Sequence, residues 1–439
     1  MSHHRVTRGL IVAFTLLVAA IAQAADAPPA IEGRTMTLAE CLDLGLRVNP
    51  TVEVARQGLK ANQERVGEAA AGYYPTLKLS SGYTYSTPSE RMPGLTTDSY
   101  DTRLAVRQTL FDAGATKNQI SGVRHTITAQ SHEVDKSELD IAHAIRTAFV
   151  DTLKREALLA VTKTALQGTE RHLAQATALY QEGLSARSDV IKSEVQVSAA
   201  RLEVVKADNA VLSAKAALAA AMGVPVTVRF TIDGRGRAVE DSGHSPLQST
   251  EGAKARAYQL RPELKGLKAK LQASDATIHQ AESGYFPAVS LDAAYGWQEE
   301  NFLPTERRWN VGVTVAIPVF ERLTTRSKVG QAEANRAGLK ATEIQALRTI
   351  ELEVEQAWLA LSEARERRTL TQKTEEQASE DLRVSEGRYQ EGLATVIEVI
   401  DSQTALTTAR ANAVVAAFDI ELAQARLDRA TGTRRETSK

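Results

Sequence analysis

The chain has 439 residues, of which 43% are hydrophobic, a share that is enough to bury a core and argues against general disorder. Its 53 Lys and Arg against 54 Asp and Glu leave a net charge of -1, and this balance argues against a nucleic-acid-binding protein, which usually carries a basic excess. The one cysteine, Cys41, has no partner for an intramolecular disulfide, and the length suggests two or three structural units.

The N-terminal residues predict an export signal. Arg5 and Arg8 precede an apolar run at 10–21, which is too short for a membrane-spanning helix because such a helix needs about 20 residues. The run ends at residues 22–24 (Ala-Gln-Ala), a small-x-small pattern that predicts cleavage before Ala25. The alternative is a segment that is retained as a membrane anchor. No cysteine directly follows the cleavage site, so lipid attachment is not expected there.

Two copies of one unit follow along the chain. The stretch 72–75 (Gly-Tyr-Tyr-Pro) recurs 212 residues later as 284–287 (Gly-Tyr-Phe-Pro), and 180–184 (Tyr-Gln-Glu-Gly-Leu) recurs unchanged 209 residues later as 389–393. A period of about 210 residues is far above the periods of solenoid repeats, so a duplicated domain is expected. The expected divisions are a signal peptide at 1–24, a first repeat at 25–223, a linker at 224–250, a second repeat at 251–432 and a C-terminal tail at 433–439.

The same order of elements is predicted in each copy. Proline is absent between Pro93 and Pro225 and after Pro318, and these tracts predict one long helix per copy because proline breaks helix interiors. In the first copy we expect helices at 38–48 and 52–72, strands at 76–86 and 100–110, a long helix at 113–180 and a helix at 186–222. In the second copy we expect a helix at 263–284, strands at 288–298 and 308–318, a long helix at 322–389 and a helix at 394–431.

The long helices indicate an elongated shape. A helix over 113–180 is about 102 Å long, and the two shorter helices of the first copy nearly match that length together. These shorter helices are therefore expected to stack end to end beside the long one. A stripe of mostly small and polar residues is expected to form a close helix–helix seam, and it consists of Leu153, Ala157, Ala160, Thr164, Gln167, Arg171, Ala174 and Ala178.

The four strand-like runs alternate with period 2, so that each has one apolar and one polar face. Each run has about 9–11 residues, which is the length that a tilted strand needs to cross a bilayer. Six aromatic residues lie where strands meet helices, as an interfacial girdle would: Tyr73, Tyr74, Phe111, Tyr285, Phe286 and Phe320.

Two arrangements fit these strands. One is a soluble antiparallel sheet with one wet face. The other is a transmembrane barrel, but four strands cannot close one, since bacterial barrels begin at about eight strands. If the strands span a membrane, two, three or four chains would share a barrel of 8, 12 or 16 strands.

The chain resembles the TolC-like outer membrane efflux protein family. The resemblance covers about residues 35–432 and is carried by the Tyr-Pro and Phe-Pro strand entries at 74–75 and 286–287, the two strand pairs and the twin Tyr-x-x-Gly-Leu breaks. It implies a mainly α fold with a small β part. Long antiparallel helices would form a trimeric α-barrel, and four strands per chain would contribute to a shared 12-stranded transmembrane β-barrel.

The resemblance also implies an exit duct and not an enzyme. Such a homotrimer lies in the outer membrane of a Gram-negative bacterium, contacts outer-membrane lipid and extends far into the periplasm. It carries substrates from a periplasmic adaptor (a membrane fusion protein) and an inner-membrane transporter of the RND, ABC or a similar type, in tripartite efflux or type I secretion. No nucleic acid and no cofactor is implied, and no catalytic or metal-binding motif is present. The alternative is an exported, elongated coiled-coil structural or adhesion protein without channel activity.

Two groups of site residues follow from the resemblance. The hairpin tips that contact the adaptor match Gly183, Leu184, Ser185, Gly392, Leu393 and Ala394. The residues at the closed periplasmic mouth match Glu398, Asp401, Asp189 and Tyr389. A helix places Glu398 and Asp401 on one face, and such carboxylates from three chains around one axis would attract cations. The family's archetype has an arginine where Ala394 stands, and Arg187 is the candidate substitute.

Overall fold

The computed structural model of the chain describes residues 32–86, 97–234, 249–299, 307–320 and 322–433. The expected signal peptide, the middle of the expected linker (235–248) and the tail beyond residue 433 lie outside the described residues.

Apart from the short strand β1, each copy of the repeat contains the same order of four helices and two strands. The first copy consists of β1 (Thr35–Met36), α1 (Leu38–Val48), α2 (Pro50–Ala70), β2 (Thr76–Ser86), β3 (Thr97–Phe111), α3 (Ala115–Gln181) and α4 (Arg187–Met222). Between the copies lies β4 (Thr231–Ile232), which pairs in parallel with β1. The second copy consists of α5 (Thr250–Leu260), α6 (Pro262–Glu282), β5 (Ala288–Glu299), β6 (Arg308–Ala316), α7 (Arg322–Gln390) and α8 (Val396–Ala430).

The fold class is confirmed as mainly α with a small β part. The helices form one layer that is four positions wide. Helix α3 packs against α2 and α4 on one side and against α6 and α8 on the other, and α7 packs against α6 and α8 beyond them. Helices α2 and α4 therefore form one edge of the layer, and α7 forms the other.

The sheet continues the layer at one end. Its strand order is β2-β3-β5-β6 and every pair is antiparallel. Since β2 follows α2 and β6 leads into α7, the two edge strands lie on the same sides as the two edge positions of the helical layer. Helix α3 has 67 residues, so the far end of the layer lies about 100 Å from the sheet.

The short helices stack end to end, as the sequence predicts, and Asn49 forms the joint in the first copy. Its side-chain oxygen accepts a hydrogen bond from the Thr51 backbone N–H at 2.8 Å and so caps the start of α2. Its side-chain amide donates to the Ala221 carbonyl at 2.8 Å, which satisfies an unpaired group at the end of α4. One side chain thus joins the end of α4 to the start of α2.

The second copy repeats this joint with an arginine. Arg261 stands 212 residues after Asn49 and donates from Nε to the Ala430 carbonyl at 2.8 Å, at the end of α8. The side chain of Arg261 is 2% exposed, and its remaining guanidinium nitrogens pair with Glu263 and Glu353. A buried guanidinium needs such partners because an unpaired buried charge is strongly unfavourable.

The main apolar clusters of the described residues lie around these two joints. Cys41 belongs to the first cluster, is fully buried, and burial raises the pKa of its thiol to about 12. The first cluster consists of Met36, Cys41, Leu44, Ile145, Phe149, Val150, Leu153, Leu218, Ala219, Met222, Val224, Phe230 and Phe418. The second consists of Ala253, Ala257, Leu264, Ile350, Val354, Ala357, Leu361, Ala364, Ala423, Leu427 and Ala430.

The prediction that a stripe of small residues on α3 packs in a helix–helix seam is wrong over much of that stripe. Leu153 is buried as expected, but Gln167, Arg171 and Ala178 are exposed. Nearer the far end of α3, Gly168 and Ala176 are buried instead. The helix contacts neighbours on two sides, so no single stripe of one period describes its buried surface.

Among the described residues, the helices include none that is both long enough and apolar enough to cross a membrane.

Substitution of Gly223 tests the first joint. Gly223 has a φ of +80°, and an added Cβ would lie 2.7 Å from the Asn49 Cα and 2.9 Å from the Pro50 Cδ. Gly223→Ala is therefore expected to lower the free energy of unfolding by about 2–4 kcal/mol, measured by far-ultraviolet circular dichroism during denaturation in detergent.

Gly330→Ala is the matched control. Gly330 lies inside α7, and an added Cβ would have no atom within 4 Å. This substitution should leave the free energy of unfolding unchanged or raise it by up to about 1 kcal/mol. Equal effects of the two substitutions would contradict the packing of the joint.

Candidate functional site

Two helical hairpins end the layer on the side opposite the sheet. Helices α3 and α4 form one hairpin and α7 and α8 form the other. Because α3 and α7 both start next to the sheet, both turns lie at the far end of the layer. The structure therefore brings the two predicted hairpin tips to the same end of the protein.

Both turns have the same backbone geometry. At the first, Gly183 has a φ of +77° and the Leu184 N–H donates to the Leu179 carbonyl at 2.8 Å. At the second, Gly392 has a φ of +74° and the Leu393 N–H donates to the Arg388 carbonyl at 2.8 Å. These are Schellman motifs, in which a residue with left-handed conformation, usually glycine, ends the helix.

An exposed leucine follows each of these glycines. Leu184 is 72% exposed and Leu393 is 65% exposed. Ser185 and Ala394 come next and are half-buried. Two exposed leucines at the same end of the layer offer apolar surface to a partner, since burial of a leucine side chain contributes about 1.5–3 kcal/mol.

Glu398 is held by local contacts at the start of α8. It forms a capping box with Thr395: the Glu398 N–H donates to the Thr395 hydroxyl, and the Thr395 N–H donates to a Glu398 carboxylate oxygen, both at 3.4 Å. The Arg388 guanidinium lies 3.6 Å from the other carboxylate oxygen and donates to the Leu393 carbonyl at 3.3 Å. Arg388 thus joins the end of α7 to the start of α8 and offsets the charge of Glu398.

Asp401 has a different environment one turn further along α8. Its side chain is exposed, on the same helix face as Glu398, and makes no hydrogen bond or ion pair with any residue that the structure describes. Buried residues, among them Val399 and Ser402, lie on the other face of this turn. Of the three carboxylates predicted at the mouth, Asp401 is the one without a neighbouring cation among the described residues, since Glu398 lies near Arg388 and Asp189 near Lys192.

Tyr389 and Asp189 come together from different hairpins. Burial raises the pKa of the Tyr389 phenol, and the Asp189 carboxylate raises it further. The Tyr389 hydroxyl is buried and has no hydrogen-bond partner among the residues described. Asp189 also lies 3.8 Å from the Lys192 ammonium group, one turn further along α4.

Further contacts near this end join the two hairpins. The His172 Nε2 atom on α3 lies 3.2 Å from a carboxylate oxygen of Glu386 on α7. Gly168 on α3 lies against the Gln403 side chain on α8, whose amide atoms would be 3.4 Å from an added Cβ. These contacts hold the hairpins side by side over at least two turns above the tips.

Sequence reasoning missed Arg388 and the pair of His172 and Glu386. It considered Arg187 as the cation of the mouth, but the arginine that approaches a predicted mouth acid is Arg388, which lies 3.6 Å from Glu398. Arg187 is exposed. No spacing rule could have found Arg388, because its contact with Glu398 crosses the turn between two helices. The functional roles of the predicted tip and mouth residues stay predictions.

No three His, Cys, Asp or Glu side chains of the described ranges lie together as a group that could hold a metal ion.

The comparison with known families gives one match that covers most of the chain. The family described as Outer membrane efflux protein matches residues 42–224 and 255–433. Each of the two matched segments contains one helical hairpin and one pair of strands.

Individual relatives are distant but extend over nearly the whole chain. Protein CyaE of Bordetella pertussis is 25% identical over 404 residues, which cover 90% of this chain and 83% of that protein. Outer membrane protein TolC of Escherichia coli is 22% identical over 407 residues, which cover 88% of this chain and 80% of that protein.

Solved structures share the fold. Outer membrane protein VceC of Vibrio cholerae superimposes with a TM-score of 0.73 at 21% identity, over 91% of this chain and 97% of that chain. Channels of this family are trimeric, are not enzymes, and work with adaptors and inner-membrane transporters. The exit-duct prediction is thereby confirmed over the structural or adhesion alternative. The chain belongs to the outer membrane efflux protein family, and it is an outer-membrane channel of a tripartite efflux or secretion system with an elongated periplasmic part.

Proposed function

We propose that three copies of this chain form a passive exit duct that is closed at the hairpin end and opens when a periplasmic adaptor binds there. The energy comes from an inner-membrane transporter of the RND, ABC or a similar type. One observation carries the proposal. The sheet and the helical layer each have two edges without a partner inside the described chain, and the edges of the sheet lie on the same sides as the edges of the layer.

The edges of the sheet need partners. Among the described strands, β2 pairs with β3 alone and β6 with β5 alone. Residues on the apolar face of β6 are strongly exposed, for example Trp309 at 76% and Val311 at 62%. In lipid, each unpaired backbone group on such an edge costs several kcal/mol, because no water is there to bind it. The β2 edge of one copy against the β6 edge of the next removes this cost.

The edges of the helical layer carry exposed apolar stripes. On α7, Leu352, Leu359 and Leu370 are 57%, 58% and 63% exposed, and their spacings of seven and eleven residues place them on one face. The stripe on α4 has spacings of three, four and seven residues and consists of Ile191, Val195, Leu202, Val205 and Leu212. Apolar residues at this spacing are typical of helices that pack side by side.

Head-to-tail closure satisfies both kinds of edge at once. The two edges of one copy are different surfaces, so the contact between copies is heterologous, and such contacts close into a ring when the rotation from one copy to the next divides a full turn. Three copies give a ring of 12 strands, in agreement with the trimeric channels of the family. The six aromatic residues predicted as a girdle lie at the junction of sheet and helices, and the exposed fraction of each is between 44% and 92%.

The mouth of the duct is assigned to the hairpin end. Asp401 and Glu398 from three copies would surround the axis there. The contact between His172 and Glu386 joins the two hairpins of one copy, and the Asp189 carboxylate lies near enough to Tyr389 to raise the pKa of its phenol. We assign this arrangement to the closed state. Adaptor binding at Leu184 and Leu393 would separate the hairpins and open the mouth.

Purified protein in planar bilayers tests the duct. We expect a trimer by native mass spectrometry and discrete conductance steps after insertion from detergent. A trimer that inserts into the bilayer and gives no conductance would contradict the proposal. A monomer in mild detergent would contradict the closure of the sheet between copies.

Three single substitutions test the mouth: two should weaken block by a cation and the third should strengthen it. Asp401→Asn should weaken block by La³⁺ from the periplasmic side by about tenfold, since it removes a carboxylate with no cation beside it. Glu398→Gln should weaken block less, because Arg388 already offsets that carboxylate. Arg388→Gln should strengthen block, since it releases the charge of Glu398.

The readout is the La³⁺ concentration that halves the single-channel current. Equal block in all three variants and the unmodified channel would show that these acids are not at the mouth.

Substitution of the tip leucines tests the adaptor contact. Leu184→Ser together with Leu393→Ser should lower the affinity for the adaptor by at least about tenfold, because about 1.4 kcal/mol of apolar burial corresponds to a factor of ten. The affinity is measured by surface plasmon resonance on the immobilised channel, with the adaptor that co-purifies with it. Gln390→Ala, a change of an exposed polar residue at the same tip, is the control and should leave the affinity unchanged. Unchanged affinity of the double variant would contradict the assignment.

A further inference from the structure

Helices α3 and α8 belong to different copies of the repeat, and two ion pairs cross the contact between them. The Arg146 Nη1 atom lies 3.1 Å from an Asp428 carboxylate oxygen, and both side chains are mostly buried. The Arg429 Nη2 atom lies 2.8 Å from an Asp140 carboxylate oxygen. We call these four residues, with the residues that lie between them on α3 and α8, the repeat contact.

His143 lies inside the repeat contact, and one of its ring nitrogens has no partner. Its Nδ1 atom is buried and makes no hydrogen bond with any residue of the described ranges. A protonated imidazole carries an N–H on both of its nitrogens. In this arrangement the charged form of His143 would therefore bury a donor without an acceptor, which is unfavourable.

The charges around His143 also oppose a proton on its ring. Burial lowers the pKa of the His143 imidazole, and the Arg429 and Arg426 guanidinium groups of α8 lower it further. The Ala425 carbonyl and the Asp140 carboxylate act in the opposite direction, but they do not outweigh these effects. Asp140 already pairs with Arg429, so the imidazole does not have this carboxylate to itself.

Three further carboxylates reach the repeat contact, and each has an arginine beside it. Asp428 of α8 pairs with Arg146. Glu263 of α6 and Glu353 of α7 lie 3.5 Å and 3.2 Å from the Arg429 guanidinium. A proton on the imidazole would thus bring a further cation to a contact whose carboxylates already have partners.

We propose that His143 makes the repeat contact sensitive to acid, so that protonation of its ring loosens α3 from α8 and favours opening of the duct. Helices α3 and α8 belong to different hairpins, and His143 lies about 55 Å from the hairpin tips. A looser repeat contact removes one restraint on separation of the hairpins. The effect on the duct rests on the proposed function, in which separated hairpins are the open state.

The direction of the pH dependence follows from the folded and unfolded states. An ordinary imidazole takes up a proton at about pH 6.5, whereas the folded protein keeps His143 neutral to a lower pH because its pKa is lowered. The contribution of the neutral ring to stability is therefore complete above about pH 6.5 and is lost as the pH falls below that value.

Hydrogen exchange of backbone amides tests the repeat contact directly. In the purified trimer in detergent, peptides that cover 140–150 and 422–430 should exchange about threefold faster or more at about pH 5.5 than at about pH 7.5. The rates are corrected for the intrinsic pH dependence of exchange. His143→Gln should remove this increase, because an amide side chain stays neutral at both pH values. His143→Asn serves the same purpose if the glutamine variant does not assemble.

The matched control is His279→Gln. The side chain of His279 is 64% exposed, and its Nδ1 atom lies 2.9 Å from a carboxylate oxygen of Glu282 on the same helix. This variant should keep the acid-dependent increase at the repeat contact. Exchange that does not change with pH in the unmodified trimer, or the same increase in His143→Gln, would overturn the proposal.

Planar bilayers test the consequence for the duct. The fraction of time that the unmodified channel spends open should rise by about twofold or more from about pH 7.5 to about pH 5.5, and His143→Gln should show a smaller rise. An equal rise in both channels would overturn the control of opening by His143. An inserted trimer without conductance would instead overturn the duct itself, while hydrogen exchange would still decide whether the repeat contact responds to acid.

Discussion

The free edges of the four-stranded sheet impose the condition on which the rest of this protein depends. Backbone groups on the outer edges of β2 and β6 have no partner strand within the described chain, and a bilayer offers them no water. Because β2 is joined to α2 and β6 to α7, closure of the sheet between copies also brings the α2 and α4 edge of one copy against α7 of the next. The apolar stripes on α4 and α7 lie on these edges. One requirement, that no strand edge remain open in lipid, thus organises the helices over about 100 Å.

The length of the helical layer depends on two joints, at which short helices meet end to end. Both joints satisfy the unpaired backbone groups at the helix ends, but with different side chains. A helix that ends against the start of another leaves unpaired carbonyl and amide groups. Asn49 satisfies them as a neutral side chain, whereas Arg261 brings a buried charge that needs Glu263 and Glu353. The duplicated unit therefore keeps the geometry of the joint and changes its electrostatics. The second joint is bound to α7 through Glu353, and α7 belongs to the hairpin that carries Arg388, Tyr389 and Asp401.

Much of the fold could be predicted from the sequence because its signals are local. Proline-free tracts gave the long helices within about two residues, period-2 alternation gave the strands, and the repeated glycines gave the turns. The prediction of a single seam along α3 was wrong, because α3 contacts neighbours on both sides. Its buried residues include Leu153 on the predicted stripe, but further along the helix they are Gly168 and Ala176, which lie off it. The register of the sheet could not be predicted: Arg103 and Arg308 lie about 200 residues apart in sequence, and only their common partner Gly296 places them in one row.

The hairpin end shows most clearly which features the sequence determined and which the tertiary structure determined. The sequence by itself determined two identical segments, 180–184 and 389–393, and hence two turns of the same geometry, because the turn depends on a glycine with positive φ. Only the tertiary structure decided that they differ. Tyr180 is 43% exposed, whereas the hydroxyl of its counterpart Tyr389 is buried, and the Asp189 carboxylate of the other hairpin adds to the effect of burial in raising the pKa of the phenol. Arg388 stands where the first copy has Leu179, and it offsets Glu398 while Asp401 has no such partner among the described residues. The physical reason is that pairing of charges depends on distance through space, and the neighbours that decide it come from another hairpin or across a turn.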